Sequence, residues 1–165
     1  MSDFVRLLNL IKTRRDLTWL TPSQQAAFEE LRRQLQVPGS VNLFGPVGVG
    51  KTFLVWALAD ELGYSYLPHV SHLDQVQGLA REGVIVDNCQ TGRRAHRDLL
   101  RELSYRNVQH AVFVTRQLTH DYTYYVELKL TLEDQAKVQR NLVVLGYFRD
   151  FTEALNLWRL LNPCL

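Results

Sequence analysis

The chain has 165 residues, 46% of them apolar and 22% charged, with a formal net charge of +2. That balance suits one domain with a real core and excludes a disordered segment or a polycation. No apolar run approaches the roughly 20 residues that cross a bilayer. Charges at Asp3, Arg6 and Lys12 argue against a signal peptide, so a cytoplasmic protein without membrane contact is expected. Cys89 and Cys164 lie far apart without a CxxC partner, against a zinc site or a disulfide scaffold.

In chain order, residues 2 to 15 place Phe4, Leu7, Leu8 and Ile11 on one helical face. A second helix opens at Thr21-Pro22-Ser23-Gln24, with Thr21 as cap, Pro22 in the first turn and Gln24 completing a capping box. Ala27, Phe28, Leu31 and Leu35 form its apolar stripe, and Pro38-Gly39 breaks the chain. Val41 to Phe44 reads as a short strand, Lys51 to Leu62 as a helix stopped by Gly63, and Tyr64 to Val70 as a second strand. Ser71 to Asp74 opens a short helix carrying Leu73, Val76 and Leu79. Gly83 to Asn88 is a buried strand, since it is apolar on consecutive residues. A basic helix from about Arg93 to Arg106 and a buried strand from His110 to Thr115 follow. Tyr122 to Leu132 alternates, with Val126, Leu128, Leu130 and Leu132 on one face. Thr131 and Asp134 cap a helix closed by Gly146, and a last helix runs from about Thr152 to Leu161. Strands that alternate with helices predict α/β architecture, three layers deep, around a mainly parallel sheet of about five strands.

The strongest chemical signal is Gly45-Pro46-Val47-Gly48-Val49-Gly50-Lys51-Thr52, between a strand and a helix. Such glycines let the backbone aim N–H groups at phosphate oxygens, and the helix adds its positive end. Lys51 is expected to reach the β- and γ-phosphates of ATP, and Thr52 to hold Mg2+ through its hydroxyl. Asp87, after three apolar strand residues, is the expected second magnesium partner, through a water; a strand-end aspartate in a turn is the plain alternative. Asn88 stands where a glutamate would polarise the attacking water; an amide orients water but takes no proton. Thr115 ends the next buried strand and is a candidate to position that water, or simply a β-branched strand end. Arg116 is a candidate phosphate contact, in its own site or a neighbouring subunit's, or an ordinary loop arginine. Arg93, Arg97 and Arg101 recur every four residues on one helix face, flanked by Arg94 and Arg106. That stripe suits a nucleic acid or a partner, or a solvated face paired internally, as Arg94 and Asp98 at i, i+4 allow. His69 and His72 are close, but nothing nearby completes a metal site. Trp19, Trp56 and Trp158 sit in apolar helical settings and read as core.

Together these residues resemble the AAA+ branch of P-loop ATPases, over about residues 20 to 160. The helix from Pro22 to Leu35 followed by Val41-Asn42-Leu43-Phe44-Gly45-Pro46 looks like the family's approach to its phosphate loop. Val84-Ile85-Val86-Asp87-Asn88-Cys89-Gln90 with Phe113-Val114-Thr115 is similar to replication initiators of the DnaA type and their relative Hda. The resemblance implies a P-loop NTPase domain with ATP at the strand ends and side-by-side self-assembly, in which one subunit's arginine completes the next site. It divides the chain into N-terminal helices (1–39), a nucleotide-binding core (40–130) and a short helical lid (131–165). The family's lid arginine corresponds to Arg140, Arg149 or Arg159, with no choice among them, and the usual Ser-Arg-Phe arginine-finger pattern is absent. No separate DNA-binding domain follows in the sequence, so an accessory role is expected rather than autonomous initiation.

Three functions follow. The first is an AAA+-like ATPase or ATP-dependent switch that regulates a replication-type nucleoprotein complex, with slow intrinsic hydrolysis. The second is an adaptor that holds ATP without turnover, which Asn88 favours. The third is a small P-loop metabolite kinase in which Arg93, Arg94 and Arg97 clamp phosphates, although two helices precede the loop here.

Overall fold

A computed structural model describes residues 3–76, 78–118 and 124–147, with side chains from Arg6 onward. Its elements in chain order are α1 (Asp3–Thr13), α2 (Pro22–Gln34), β1 (Gly39–Phe44), α3 (Lys51–Leu62), β2 (Ser65–Leu67), β3 (Gly83–Val86), α4 (Arg93–Tyr105), β4 (His110–Thr115), β5 (Tyr125–Glu127) and α5 (Leu132–Val144). Two 3₁₀ turns, Leu17–Trp19 and Val70–Gln75, join them. The expected final helix, Arg149, Arg159, His120, Trp158, Cys164 and the start of the Tyr122 segment lie outside the described residues.

The strands form one parallel sheet in the order β2-β3-β4-β1-β5. Strand alternation sends Val41, Leu43, Ile85, Val112 and Val114 to one face, where α2 and α3 cover them with Phe28, Leu31, Leu54, Val55 and Leu58. Val84, Val86, Ala111 and Phe113 point to the other face, under Leu99 and Leu103 of α4 and Leu73 of the second 3₁₀ turn. The result is the expected three-layer α/β/α arrangement. Because β4 lies between β1 and β3, three strand ends meet at one edge: Phe44 leading into the glycine loop, Thr115, and Val86 leading into Asp87.

Local chemistry sets several boundaries. The capping box of α2 is present: Thr21 Oγ1 accepts from the Gln24 N–H and Gln24 Oε1 from the Thr21 N–H. The same device opens α5, where Thr131 and Asp134 cap each other. Four expectations need correction. The second strand covers only Ser65–Leu67, and the segment after it is a 3₁₀ turn that begins at Val70. Leu132, expected on the inner face of a strand, opens α5 and is 68% exposed. It belongs to the capping sequence, and helix formation overrides the alternation that ends at Leu130. Asp98 pairs with Arg101, one turn after it, at 3.5 Å, rather than with Arg94, one turn before it. Trp19 and Trp56 are half-buried walls of a cavity rather than core.

Asp134 is fully buried and joins two helix starts. Its Oδ1 accepts from the Ser23 N–H at 2.8 Å, and its Oδ2 from the Thr131 N–H at 2.6 Å. Burial alone would raise its pKa; the bonds from Ser23, then Thr131 and Thr21, together outweigh burial and lower it. A depressed folded pKa means stability that is present above the unfolded value, about 3.9, and lost as pH falls through the folded one. Asp134→Asn is therefore expected to cost about 1.5–3 kcal/mol at neutral pH, the range for a hydrogen-bonded charge. The difference from wild type should shrink on acidification below about pH 4. Denaturant melts at pH 7 and pH 3 check this, and a gap independent of pH contradicts it.

Candidate functional site

Strand β1 delivers the chain to Gly45, where the backbone passes so close to the Leu128 carbonyl that a Cβ would collide with its oxygen. Gly48 and Gly50 carry φ of 85° and 86°, the left-handed region that a side chain disfavours. Gly50 is also the N-cap of α3, so the loop ends on free N–H groups at the positive end of a twelve-residue helix. The loop is braced from outside by a residue first read only as a cap. Gln24 Nε2 donates to the Gly50 carbonyl at 3.0 Å, tying the start of α2 to the loop.

Lys51 Nζ donates to the carbonyls of Gly45 and Pro46 at 2.6 and 2.7 Å. Burial lowers its pKa, the charge of Asp87 raises it, and the charge of Arg116 lowers it again. Arg116 thus lies close enough to act on the loop lysine, and it combines an exposed side chain with a place on the cavity wall.

Asp87 is buried one residue past the end of β3. Its N–H donates to the Leu67 carbonyl at 2.8 Å, which extends the ladder with β2. Thr52 Oγ1 donates to Asp87 Oδ2 at 2.7 Å, so the two residues paired by the sequence reading are in contact. A hydroxyl and a carboxylate side by side are hard oxygen donors of the kind Mg2+ takes while keeping several waters. Tyr66, which drew no attention in the sequence, donates to the same Oδ2 at 2.9 Å. Burial, then the charge of Asp87 and their hydrogen bond, holds its phenol protonated far above the usual range.

Asn88 adopts a left-handed conformation, φ 48°, and its Nδ2 donates to the Pro68 carbonyl at 3.2 Å. The residue borders the cavity, but its amide is engaged on the outer side. Thr115 Oγ1 donates to the Gln117 carbonyl at 2.8 Å and accepts from Asn42 Nδ2 at 3.0 Å. Asn42 is a second residue the sequence reading passed over: a fully buried amide inside β1 that also donates to the Phe113 carbonyl. Cys89 is a buried thiol pushed up to about 11 by burial, and it takes no part in the site.

These groups share one cavity of about 490 Å³. The glycine loop, Lys51, Thr52, Asp87, Asn88, Thr115 and Arg116 line its polar end. Leu8, Ile11, Trp19, Phe53, Trp56, Val138 and Leu142 line its apolar end, supplied by α1, the first 3₁₀ turn, α3 and α5. Asn141 Nδ2 donates to the Trp19 carbonyl at 2.9 Å and joins two of those walls. Polar groups of the loop beside apolar and aromatic walls suit a ligand with an anionic tail and a flat apolar head. The arginines of α4 and Arg140 of α5 are not part of this cavity.

No family model matches the sequence, and no curated protein is similar to it in sequence. Solved structures do share its fold. AMPPCP-bound DnaA from Aquifex aeolicus superposes with a TM-score of 0.53 over 82% of this chain at 15% identity. DnaI covers 64% of the chain with a TM-score of 0.42 at 18% identity, and PCH-2 of C. elegans covers 74% with 0.41 at 15%. The chain spans 81% of the DnaI structure, 56% of the DnaA structure and 46% of PCH-2. At such identities the likeness speaks for the fold alone. The chain has the P-loop NTPase fold, a parallel five-stranded sheet with the glycine loop between β1 and α3.

Proposed function

We propose that this chain binds ATP with Mg2+ and works as an AAA+-type switch, an accessory factor of a replication-type nucleoprotein complex. The observation that carries the nucleotide reading is the 2.7 Å contact between Thr52 and Asp87 at the mouth of the glycine loop. Chance similarity to a glycine-rich turn does not explain a buried aspartate from another strand meeting that threonine. In this reading Lys51 exchanges the Gly45 and Pro46 carbonyls for β- and γ-phosphate oxygens. Thr52 and Asp87 hold the metal, which neutralises phosphate charge, and Trp19 and Trp56 flank the base. Titration calorimetry with ATP tests this. Tight binding that needs magnesium is expected, with the metal-dependent part lost in Thr52→Ala; binding indifferent to both contradicts it.

A non-hydrolysing adaptor is the second reading, favoured by the Asn88 amide turned onto Pro68. The kinase reading loses its support, because Arg93, Arg94 and Arg97 stand outside the cavity. Arg116, exposed at the rim, is the proposed arginine that assembly carries into a neighbouring copy's site. The division into N-terminal helices, core and lid remains part of the same proposal.

Nucleic acid is the proposed partner of α4. Arg93, Arg94 and Arg97 crowd the positive end of that helix, where cations are unfavourable, with no acidic residue in its first turn. All three are exposed, whereas Arg101 and Arg106 have carboxylate partners. Arg93, Arg97, Arg101 and the 83% exposed Tyr105 follow one another at i, i+4 along one face. Replacing Arg93, Arg97 and Arg101 by glutamine is expected to lower the salt slope of single-strand binding by roughly three contacts' worth. A wild-type protein that retains no DNA or RNA at low salt contradicts this partner.

A further inference from the structure

We propose that Tyr66 is a positioning residue for the Asp87 carboxylate, setting how tightly the nucleotide site takes magnesium; this rests on the ATP·Mg2+ reading above.

The carboxylate is held by three donors from three directions. Oδ1 accepts from the Asn88 N–H at 2.8 Å. Oδ2 accepts from Thr52 Oγ1 at 2.7 Å and from Tyr66 Oη at 2.9 Å. The first donor is the next residue in the chain and the second belongs to the expected metal pair. Tyr66 alone comes from a separate strand. It lies opposite Ile85 in the parallel register of β2 and β3. Alternation puts Ile85, and Asp87 two residues later, on the face that α3 covers, so the phenol reaches along that face to the carboxylate.

The ring is itself held. Trp56 of α3 meets it edge to face, with centroids 6.2 Å apart and planes at 74°. Lys12 of α1 lies over Trp56 at 5.5 Å. Tyr66 therefore links the helix that begins at the glycine loop to the carboxylate that faces it. A short acid side chain beyond a strand end has free rotation about χ1 and χ2, and two donors on one oxygen remove it. Thr52 can meet a cation through an oxygen lone pair while its proton stays on Oδ2, and Tyr66 fixes the same oxygen from the other strand.

Partners of this kind alter metal affinity by about 10–100-fold when removed. The experiment is ATP binding across a magnesium titration, in wild type and Tyr66→Phe, with metal-free ATP affinity measured in EDTA. The phenylalanine retains the ring against Trp56. The magnesium midpoint should rise about tenfold or more, while metal-free affinity stays unchanged. In an Asp87→Ala background, Tyr66→Phe should add no further shift, because the oxygen it donates to is gone. An unchanged midpoint overturns the proposal, as does a fall in metal-free affinity equal to the fall with magnesium, which marks a merely structural hydroxyl. An equal shift in the Asp87→Ala background overturns it too. Wild-type protein that gains nothing from magnesium fails earlier, and takes the ATP·Mg2+ reading with it.

Discussion

Lys51→Ala is expected to weaken ATP binding about 10- to 150-fold, the equivalent of the 1.5–3 kcal/mol that a charged hydrogen bond contributes. The lysine is half-buried and sits across the loop on the Gly45 and Pro46 carbonyls. Its removal takes away the one ammonium inside the glycine loop, while the glycine backbone and the Gln24 brace on Gly50 remain. The fold should therefore survive, and melting temperature serves as the control. Calorimetry that shows equal affinity in both proteins contradicts a phosphate-binding role for the loop.

Slow turnover is the second large effect. Hydrolysis needs a water held in line and its proton removed, and a positioned base contributes about 10²–10⁴-fold. Asn88 is no base, and its amide is occupied by the Pro68 carbonyl. The Thr115 hydroxyl is engaged by Asn42 and Gln117. The isolated protein should thus bind ATP well and release phosphate slowly. Asn88→Glu should raise the rate, toward the lower end of that 10²–10⁴ range, because the left-handed backbone at φ 48° suits asparagine better than glutamate. Phosphate release at saturating ATP decides it. Brisk wild-type turnover without a partner, or no gain in Asn88→Glu, contradicts this assignment.

What could be read from the sequence was local. The capping boxes at Thr21 and Thr131 depend on residues three apart, and both form. The glycine loop declares itself because phosphate binding needs glycines and a lysine at fixed spacing. Asp87 stands out as a candidate because a charge after an apolar strand is conspicuous. The missed residues act across long separations. Asn42 meets Thr115 73 positions away, and Asp134 meets Ser23 across 111. An amide within β1 or a tyrosine within β2 looks ordinary until a neighbouring strand brings its partner. Trp19 and Trp56 were misplaced for a related reason: an apolar helix face looks the same whether it packs on a core or walls a cavity. Leu132 shows the opposite failure, where a pattern of period two ran past its true end into a helix cap.

The Gly45–Thr52 loop, with Asp87 opposite, is the proposed seat of a magnesium nucleotide. The most direct measurement is a crystal structure with a non-hydrolysable ATP analogue and Mg2+. The expected result is the triphosphate on the loop's N–H groups, Lys51 Nζ moved from the two carbonyls to phosphate, the metal beside Thr52 and Asp87, and the base flanked by Trp19 and Trp56. A nucleotide bound elsewhere, or a loop left unchanged at saturating analogue, would contradict it.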